Sequence, residues 1–477
     1  MPSHSTAFPT SRRASLSVAA MLCAVLGGCA TLAPPPPAAA YVVLGEDGAA
    51  VARVVTAGAA CPSIEVDGRA LLMTLRAAPK TMALRPTASA PEDSKPSVFP
   101  DLICEATLPP GAAHAQVQGL ALALPKARIE RIVVIGDTGC RIKKADAAFQ
   151  SCQDSAAYPF ATVAAAAAAW KPDLVVHVGD YLYRENACPP GQSGCAGSPW
   201  GYGWDAWQAD FFTPAQPLLR AAPWVVARGN HESCSRGGQG FWRLLDPRAL
   251  LPGRDCIDPA DDGRGDYGDP YAVPLGADAQ LIVIDSSNSI SRKPKLEDAR
   301  SVQRAERFGQ TRLAIEALAR RAVHNIGVNH HPALAFAAVR RNGNPVELKA
   351  GDYGQQTYYG AVSPTLLPER IDAMLSGHVH VWEQVSFASA HPSQFVAGFS
   401  GTLEEEVPLP ETLPAGASPA PGAIVEHFSS WNAGFGFMTM ERCGAAHWDV
   451  KVWDLHGKLQ RTCQLEGRKS SCAAAPQ

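Results

Sequence analysis

Short runs in which apolar and polar positions alternate occupy residues 41–127, clearest at 41–44, 70–75 and 117–124, with Gly and Pro between them. No helical period develops there. The stretch predicts a small all-β domain, a fibronectin-like sandwich with no chemistry of its own. From Arg131 the pattern changes. Residues 132–135 are uninterruptedly apolar, the Ala-rich residues 161–170 predict a helix stopped before Pro172, and 174–178 predict the next strand. Residues 224–227, 281–284, 326–328 and 371–375 repeat the apolar run, and a helix is expected over 301–322. Apolar runs without alternation, joined through helices, indicate an α/β fold whose sheet is covered on both faces. Ligands of such sheets bind in loops beyond the strand carboxyl ends. Residues 435–440 and 448–453 read as a late hairpin closing the sheet.

Two long insertions interrupt this plan. Residues 185–223 hold Trp200, Tyr202, Trp204 and Trp207 beside paired cysteines, and form either a pocket wall or a flap packed on itself. Residues 402–425, rich in Pro, Ala and Glu, read as an exposed loop.

The first forty residues are not read as fold. Arg12-Arg13 precede an apolar stretch over 16–26, too short to span a bilayer as a mature helix. Leu26-Gly27-Gly28-Cys29 resembles a bacterial lipobox, so residues 1–28 are expected to be a lipoprotein signal and Cys29 a lipid anchor. An ordinary secretory signal with a chance cysteine is the alternative. Ser11-Arg12-Arg13 fits a twin-arginine leader, and a plain secretory leader fits nearly as well. Residues 29–40 form a Pro/Ala-rich linker, followed by the sandwich (41–127), the main domain (128–465) and a tail (466–477). The expected location is the periplasm or cell envelope, anchored to the outer membrane.

A chain of 477 residues exceeds one ordinary core, which agrees with two domains. A net charge of -3 without a long basic run gives no case for a nucleic-acid partner. With Cys23 and Cys29 set aside, eleven cysteines remain, many for a reducing compartment. Sequence neighbours suggest the pairs Cys61–Cys104, Cys140–Cys152, Cys188–Cys195, Cys234–Cys256 and Cys443–Cys463, with Cys472 left over. No CxxC knuckle indicates zinc.

Five segments at predicted strand ends carry the chemistry: Gly136-Asp137-Thr138-Gly139, Gly179-Asp180-Tyr181-Leu182-Tyr183, Gly229-Asn230-His231-Glu232, His330-His331-Pro332 and Gly377-His378-Val379-His380. Together they offer carboxylate, phenol, amide and imidazole, a set suited to small, highly charged cations. Two ions about 3.5–4 Å apart can hold a phosphate ester and activate water beside it. No Gly-x-Ser-x-Gly elbow and no Gly-rich phosphate loop with Lys offers a rival site.

These segments, in this order, resemble the calcineurin-like metallophosphoesterases, and among them most the purple acid phosphatases, over roughly residues 130–455. Many relatives place a His two residues after the first Asp, where this chain has Gly139; it offers Tyr183 three residues after Asp180 instead. The resemblance implies a β-sheet sandwich covered by helices and two metal ions. Asp137, Asp180, Tyr183 and His380 would hold the first, and a tyrosinate ligand favours ferric iron. Asp180, Asn230, His330 and His378 would hold a divalent zinc, manganese or iron, with Asp180 giving one oxygen to each ion. The His-x-Pro pattern selects His330 over His331, although Gly327 stands where relatives carry Val. His231 is implied as the general acid, with Glu232 orienting it or fixing its loop. Arg141 and Arg184 either clamp phosphate or are ordinary surface arginines. Trp382 and Glu383 are expected at the pocket rim, and His331 either contacts substrate or packs. The implied function is hydrolysis of small phosphate esters, foremost phosphomonoesters as an acid phosphatase. A phosphodiesterase and a non-catalytic envelope binding protein are the alternatives. The oligomeric state is left open.

Overall fold

Among the described residues, two large β-sheets, of eleven and seven strands, carry the molecule. The structure, a computed structural model, describes residues 36–85, 91–290, 292–295, 297–340 and 346–475. The expected signal, the Cys29 anchor and linker residues 29–35 lie outside these.

In the first sheet Arg131–Ile135, Leu174–His177 and Trp224–Val226 run parallel. The late hairpin, Gly436–Arg442 with His447–Asp454, adds antiparallel to Arg131–Ile135, and Leu459–Glu466 and Lys469–Ala474 extend that edge. In the second sheet Ala279–Val283, His324–Val328, Ala373–Ser376 and Ser393–Ala397 run parallel, flanked by antiparallel strands. Successive strand residues face opposite ways, and this sorts the layers. Ile132, Val134 and Val176 meet Leu281, Val328 and Leu375 in a core between the sheets. Val133, Ile135 and Val175 face outward onto Val163 and Ala167 of the helix Phe160–Ala169. Ile282 and Met374 face outward onto Phe308 and Ile315 of the helix Ala299–Ala319. Both faces of each parallel core are therefore buried, which is why these strands read as continuous apolar runs.

The all-β region lies ahead of this core. Ala39–Leu44, Ala50–Thr56, Leu102–Thr107 and Thr74–Ala77 form one layer, and a four-stranded sheet containing Ser63–Val66 and Ala115–Val117 forms the other. Ile64, Val66 and Val117 share a core with Ala52, Val54 and Cys104. A parallel bridge, Val43 beside Trp224, makes the first layer continuous with the first large sheet. The apolar run at 70–75 breaks at Met73, and its halves, Arg69–Leu72 and Thr74–Ala77, join different sheets.

Four expected disulfides are present: Cys61–Cys104, Cys140–Cys152, Cys188–Cys195 and Cys234–Cys256. The fifth is not Cys443–Cys463. Leu459–Glu466 and Lys469–Ala474 pair so that Cys463 stands opposite Cys472, and these two are joined. Cys443 remains exposed as a thiol.

The aromatic insertion is neither a pocket wall nor a flap packed on itself. Trp204, Trp207, Phe211 and Phe212 pack beneath the first sheet's outer face with Trp224 and Val226. Between Ser393–Ala397 and Val425–Trp431 no regular element forms, as expected, yet Leu409, Ala420 and Ala423 are buried against the second sheet's outer layer. Among the described residues no helix is long and apolar enough to cross a membrane.

Candidate metal centre

Each of the five motifs follows the carboxyl end of a parallel strand. Asp137 follows Arg131–Ile135, Asp180 follows Leu174–His177, Asn230 follows Trp224–Val226, His330 follows His324–Val328, and His378 and His380 follow Ala373–Ser376. The chain turns sharply there. Asp137, Asp180 and His378 adopt left-handed backbone, with φ of 54°, 57° and 72°, a conformation that costs non-glycine residues energy and concentrates at functional sites. Gly229 is required by close approach: a Cβ there would lie 2.0 Å from Asp180 Oδ1. At Gly139 a Cβ would lie 2.7 Å from the Tyr181 carbonyl and 2.8 Å from Asp210 Oδ2, so this chain has no room for the histidine many relatives carry.

The seven expected ligands converge. Tyr183 Oη lies 2.8 Å from Asp137 Oδ1, 2.9 Å from Asp180 Oδ2 and 3.0 Å from His380 Nε2. Asn230 Oδ1 lies 3.1 Å from His330 Nε2 and 3.0 Å from His378 Nδ1, and His330 Nε2 is 3.1 Å from Asp180 Oδ2. These are the spacings expected along the edges of an octahedron whose ligands stand about 2.0–2.1 Å from one ion. Asp180 Oδ2 belongs to both groups. Asp180 Oδ1 accepts the His231 backbone N–H at 2.8 Å.

The outer contacts fix where lone pairs point. His330 Nδ1 is 2.9 Å from the Val178 carbonyl, and His380 Nδ1 is 2.7 Å from the Leu403 carbonyl. Each Nδ1 therefore carries the proton, and Nε2 turns a lone pair inward. His330 Nε2 then faces two acceptors, Asn230 Oδ1 and Asp180 Oδ2. A proton or a metal ion has to sit among them.

Electrostatics agree. Burial, joined by Asp180, pushes the Asp137 carboxyl well above its usual range, though His330 opposes this. Burial and both carboxylates push the Tyr183 phenol well above 10.0. Burial also opposes charge on Asp180, yet His330 and His231 hold it ionised well below the usual range. Burial disfavours an imidazolium at His330, but Asp180 and Asp137 outweigh it and raise the pKa to about 9. Burial and Arg141 lower His380 to about 3, and burial with its neighbouring imidazoles lowers His378 well below 6.5. With protons displaced from Asp137, Tyr183 and His330, the centre would offer carboxylate, phenolate, amide and imidazole donors, the donor set a pair of metal ions requires.

The neighbouring residues divide differently from expectation. His331 packs its ring 4.3 Å from that of His378 and places Nδ1 3.3 Å from Ser286 Oγ. It also lies within metal-sharing distance of His330 and His378. Glu232 does not orient His231. Its carboxylate accepts backbone N–H groups of Asp180, Tyr181, Leu182 and Gly229, which locks two ligand loops together. Arg184 is no clamp: it is buried and paired with Asp210 at 2.5 Å. Arg141 does flank the centre, with Nη1 3.4 Å from His380 Nδ1 and Nη2 2.6 Å from Asp146. Trp382 and Glu383 leave the rim altogether. Both are fully buried, and Glu383 accepts the Phe336 N–H at 2.9 Å.

Two acidic residues were absent from the sequence reading. Glu185, fully buried, lies 2.9 Å from His231 Nδ1 and pairs with Arg236. Asp210, also buried, accepts the N–H groups of Cys140, Tyr183 and Arg184. The sequence signal for Asp210 was a lone carboxylate between Trp207 and Phe211-Phe212. Glu185, two residues after the Gly179 motif, had no local mark.

Among solved structures, a purple acid phosphatase from yellow lupin (Lupinus luteus) seeds is similar at 14% identity and TM-score 0.49, covering 91% of this chain and 74% of that one. A structure named PhoD is similar at 11% identity and TM-score 0.47, covering 93% and 94%. No curated protein matches the chain in sequence. The family of calcineurin-like phosphoesterases matches residues 130–382, the span that begins at the first core strand and ends after the last motif. With that match over more than half of its length, the chain belongs to the calcineurin-like phosphoesterases and is a metal-dependent phosphoesterase.

Proposed function

We propose that the protein is an exported acid phosphatase that hydrolyses phosphomonoesters at a ferric–divalent pair. The observation that carries this reading is the position of Tyr183 Oη, within 3.0 Å of Asp137, Asp180 and His380. Burial and two carboxylates make that phenol hard to ionise, so only a strongly polarising cation would hold it as tyrosinate. Asp137, Asp180, Tyr183 and His380 would hold ferric iron; Asp180, Asn230, His330 and His378 would hold zinc, manganese or ferrous iron. Bound there, the ions would supply Lewis acidity toward the phosphate and acidify water. The protein's own groups do the rest. His231 turns Nε2 toward the centre, 3.8 Å from Asp180 Oδ2, and protonates the departing alkoxide. Glu185 and the Leu182 carbonyl, 2.8 Å from His231 Nδ1, keep that ring in place.

Two metal ions per chain and a visible tyrosinate–iron absorption band are expected of the purified protein, and Tyr183→Phe should abolish the band. A colourless, active enzyme whose Tyr183→Phe variant keeps its metals and its rate would overturn the ferric assignment. Faster turnover of a bis-aryl than of a mono-aryl phosphate would replace the monoester reading with a diester one. Glu185→Gln should lower turnover of alkyl phosphates about tenfold, sparing aryl phosphates whose leaving groups need no proton. Equal losses on both ester types would remove its positioning role.

Export and anchoring at Cys29 rest on the lipobox and leader. The disulfides among the described residues suit an oxidising compartment. Metabolic labelling with a palmitate analogue, lost in Cys29→Ala, would be the sign of the anchor.

A further inference from the structure

We propose that His331 is a substrate-binding residue whose Nε2–H donates to a terminal oxygen of the phosphoryl group held beside the second metal position. The inference rests on the phosphatase reading above and adds a residue to its site. His331 sits against two expected ligands of that position. Its ring lies 4.3 Å from that of His378 and 4.9 Å from that of His330. One nitrogen of each ring lies within 4.8 Å of the others. Proximity alone therefore allows two roles, a further metal ligand or a donor to substrate. Which nitrogen carries the proton decides between them.

Ser286 settles the tautomer. Its buried hydroxyl oxygen accepts the backbone N–H groups of His330 at 3.1 Å and His331 at 3.0 Å. A hydroxyl has two lone pairs and one proton. With both lone pairs taken, the proton goes to the remaining neighbour, His331 Nδ1, at 3.3 Å. Burial and the nearby His330 keep the ring neutral, so its own proton stands on Nε2. A protonated nitrogen does not ligate a metal ion, but it donates to an anion. Nε2 meets no hydrogen-bond partner among the described residues, and it keeps contact with solvent, with His331 3% exposed overall. A phosphoryl oxygen would satisfy it. The backbone of His331 is held as firmly as its ring. Asn329 Nδ2 and Gln355 Nε2 donate to its carbonyl at 2.9 and 2.6 Å, and the Ser376 hydroxyl in turn holds Asn329 at 2.5 Å. Such a buried network fixes the direction of a donor, whereas packing alone would be served by any apolar ring.

The test titrates inorganic phosphate, the product, calorimetrically into the metal-loaded protein. His331→Phe keeps a ring against His378 and removes the donor. It should weaken phosphate binding at least about tenfold while retaining two equivalents of metal. His331→Gln, whose amide N–H takes the place of Nε2–H, should bind phosphate within about threefold of the unaltered protein. A second measurement needs no substitution. Long-range proton–nitrogen correlation spectra of histidine-labelled protein loaded with diamagnetic zinc should show His331 protonated on Nε2 alone. A proton on Nδ1 instead, shared with the Ser286 carbonyl that also acts on the ring, would free Nε2 to ligate and overturn the proposal. Unchanged phosphate affinity in His331→Phe, equal losses in the two variants, loss of a metal equivalent from His331→Phe, or no phosphate binding by the unaltered protein would overturn it too. If the phosphate affinities fall as expected but neither aryl nor alkyl phosphates are hydrolysed, the phosphatase reading fails and the donor assignment stands.

Discussion

Asp180→Asn is expected to strip both ions from the protein and to cut turnover by at least about a thousandfold, because Lewis-acid stabilisation is worth several kcal/mol. The reason is local. Asp180 Oδ2 is the atom shared by the two donor groups, 2.9 Å from Tyr183 Oη and 3.1 Å from His330 Nε2. An amide brings no charge there, and in one of its two orientations it turns N–H donors toward the ions. The fold should persist, since Glu232 rather than Asp180 ties the two loops together through their backbone. Elemental analysis after gel filtration checks this directly. Retention of two equivalents of metal would contradict the shared-oxygen geometry.

Much of this centre was legible in the sequence because its information is local. A glycine, a ligand and the end of an apolar run lie within a few residues at Asp137, Asp180, Asn230 and His378, and the strand register does the rest. The helices at Phe160–Ala169 and Ala299–Ala319 were likewise marked by composition and length. What depended on distant partners was not legible. Nothing in residues 132–135 and 281–284 says that they belong to opposite sheets, since both are buried on two faces. The Val43–Trp224 bridge that joins the N-terminal layer to the first large sheet spans a long stretch of chain. Cys463 pairs with Cys472 rather than Cys443 because a hairpin brings it there. Arg184 and Trp382 looked like pocket residues by adjacency, yet the chain direction turns both side chains into the core. Glu185 and Asp210 act through tertiary contacts that no spacing announces.

His231→Ala is expected to slow hydrolysis of alkyl phosphates by about 10²–10⁴-fold while leaving the metal content intact. Aryl phosphates, whose leaving groups depart unprotonated, should lose far less. The same residue sets a pH dependence. Burial, with Arg236 beside it, lowers the pKa of His231 below 6.5, although Asp180 and Glu185 oppose the shift. A general acid must hold its proton, so alkyl phosphate turnover should fall as pH rises through that lowered value. This limb should vanish in His231→Ala and be absent for aryl substrates. An alkyl phosphate profile that is flat across the acid range, or a fall that survives in His231→Ala, would remove the residue from proton transfer.

The central claim is that seven side chains from five strand ends hold two ions around one shared carboxylate oxygen. Anomalous diffraction from crystals of the metal-loaded protein, recorded at the iron edge and at that of the second metal, tests it most directly. The expected map has two peaks about 3.5–4 Å apart, one against Tyr183 and His380, the other against His330 and His378, with Asp180 Oδ2 between them. A single peak, or none within reach of Tyr183 and His330, would contradict the account.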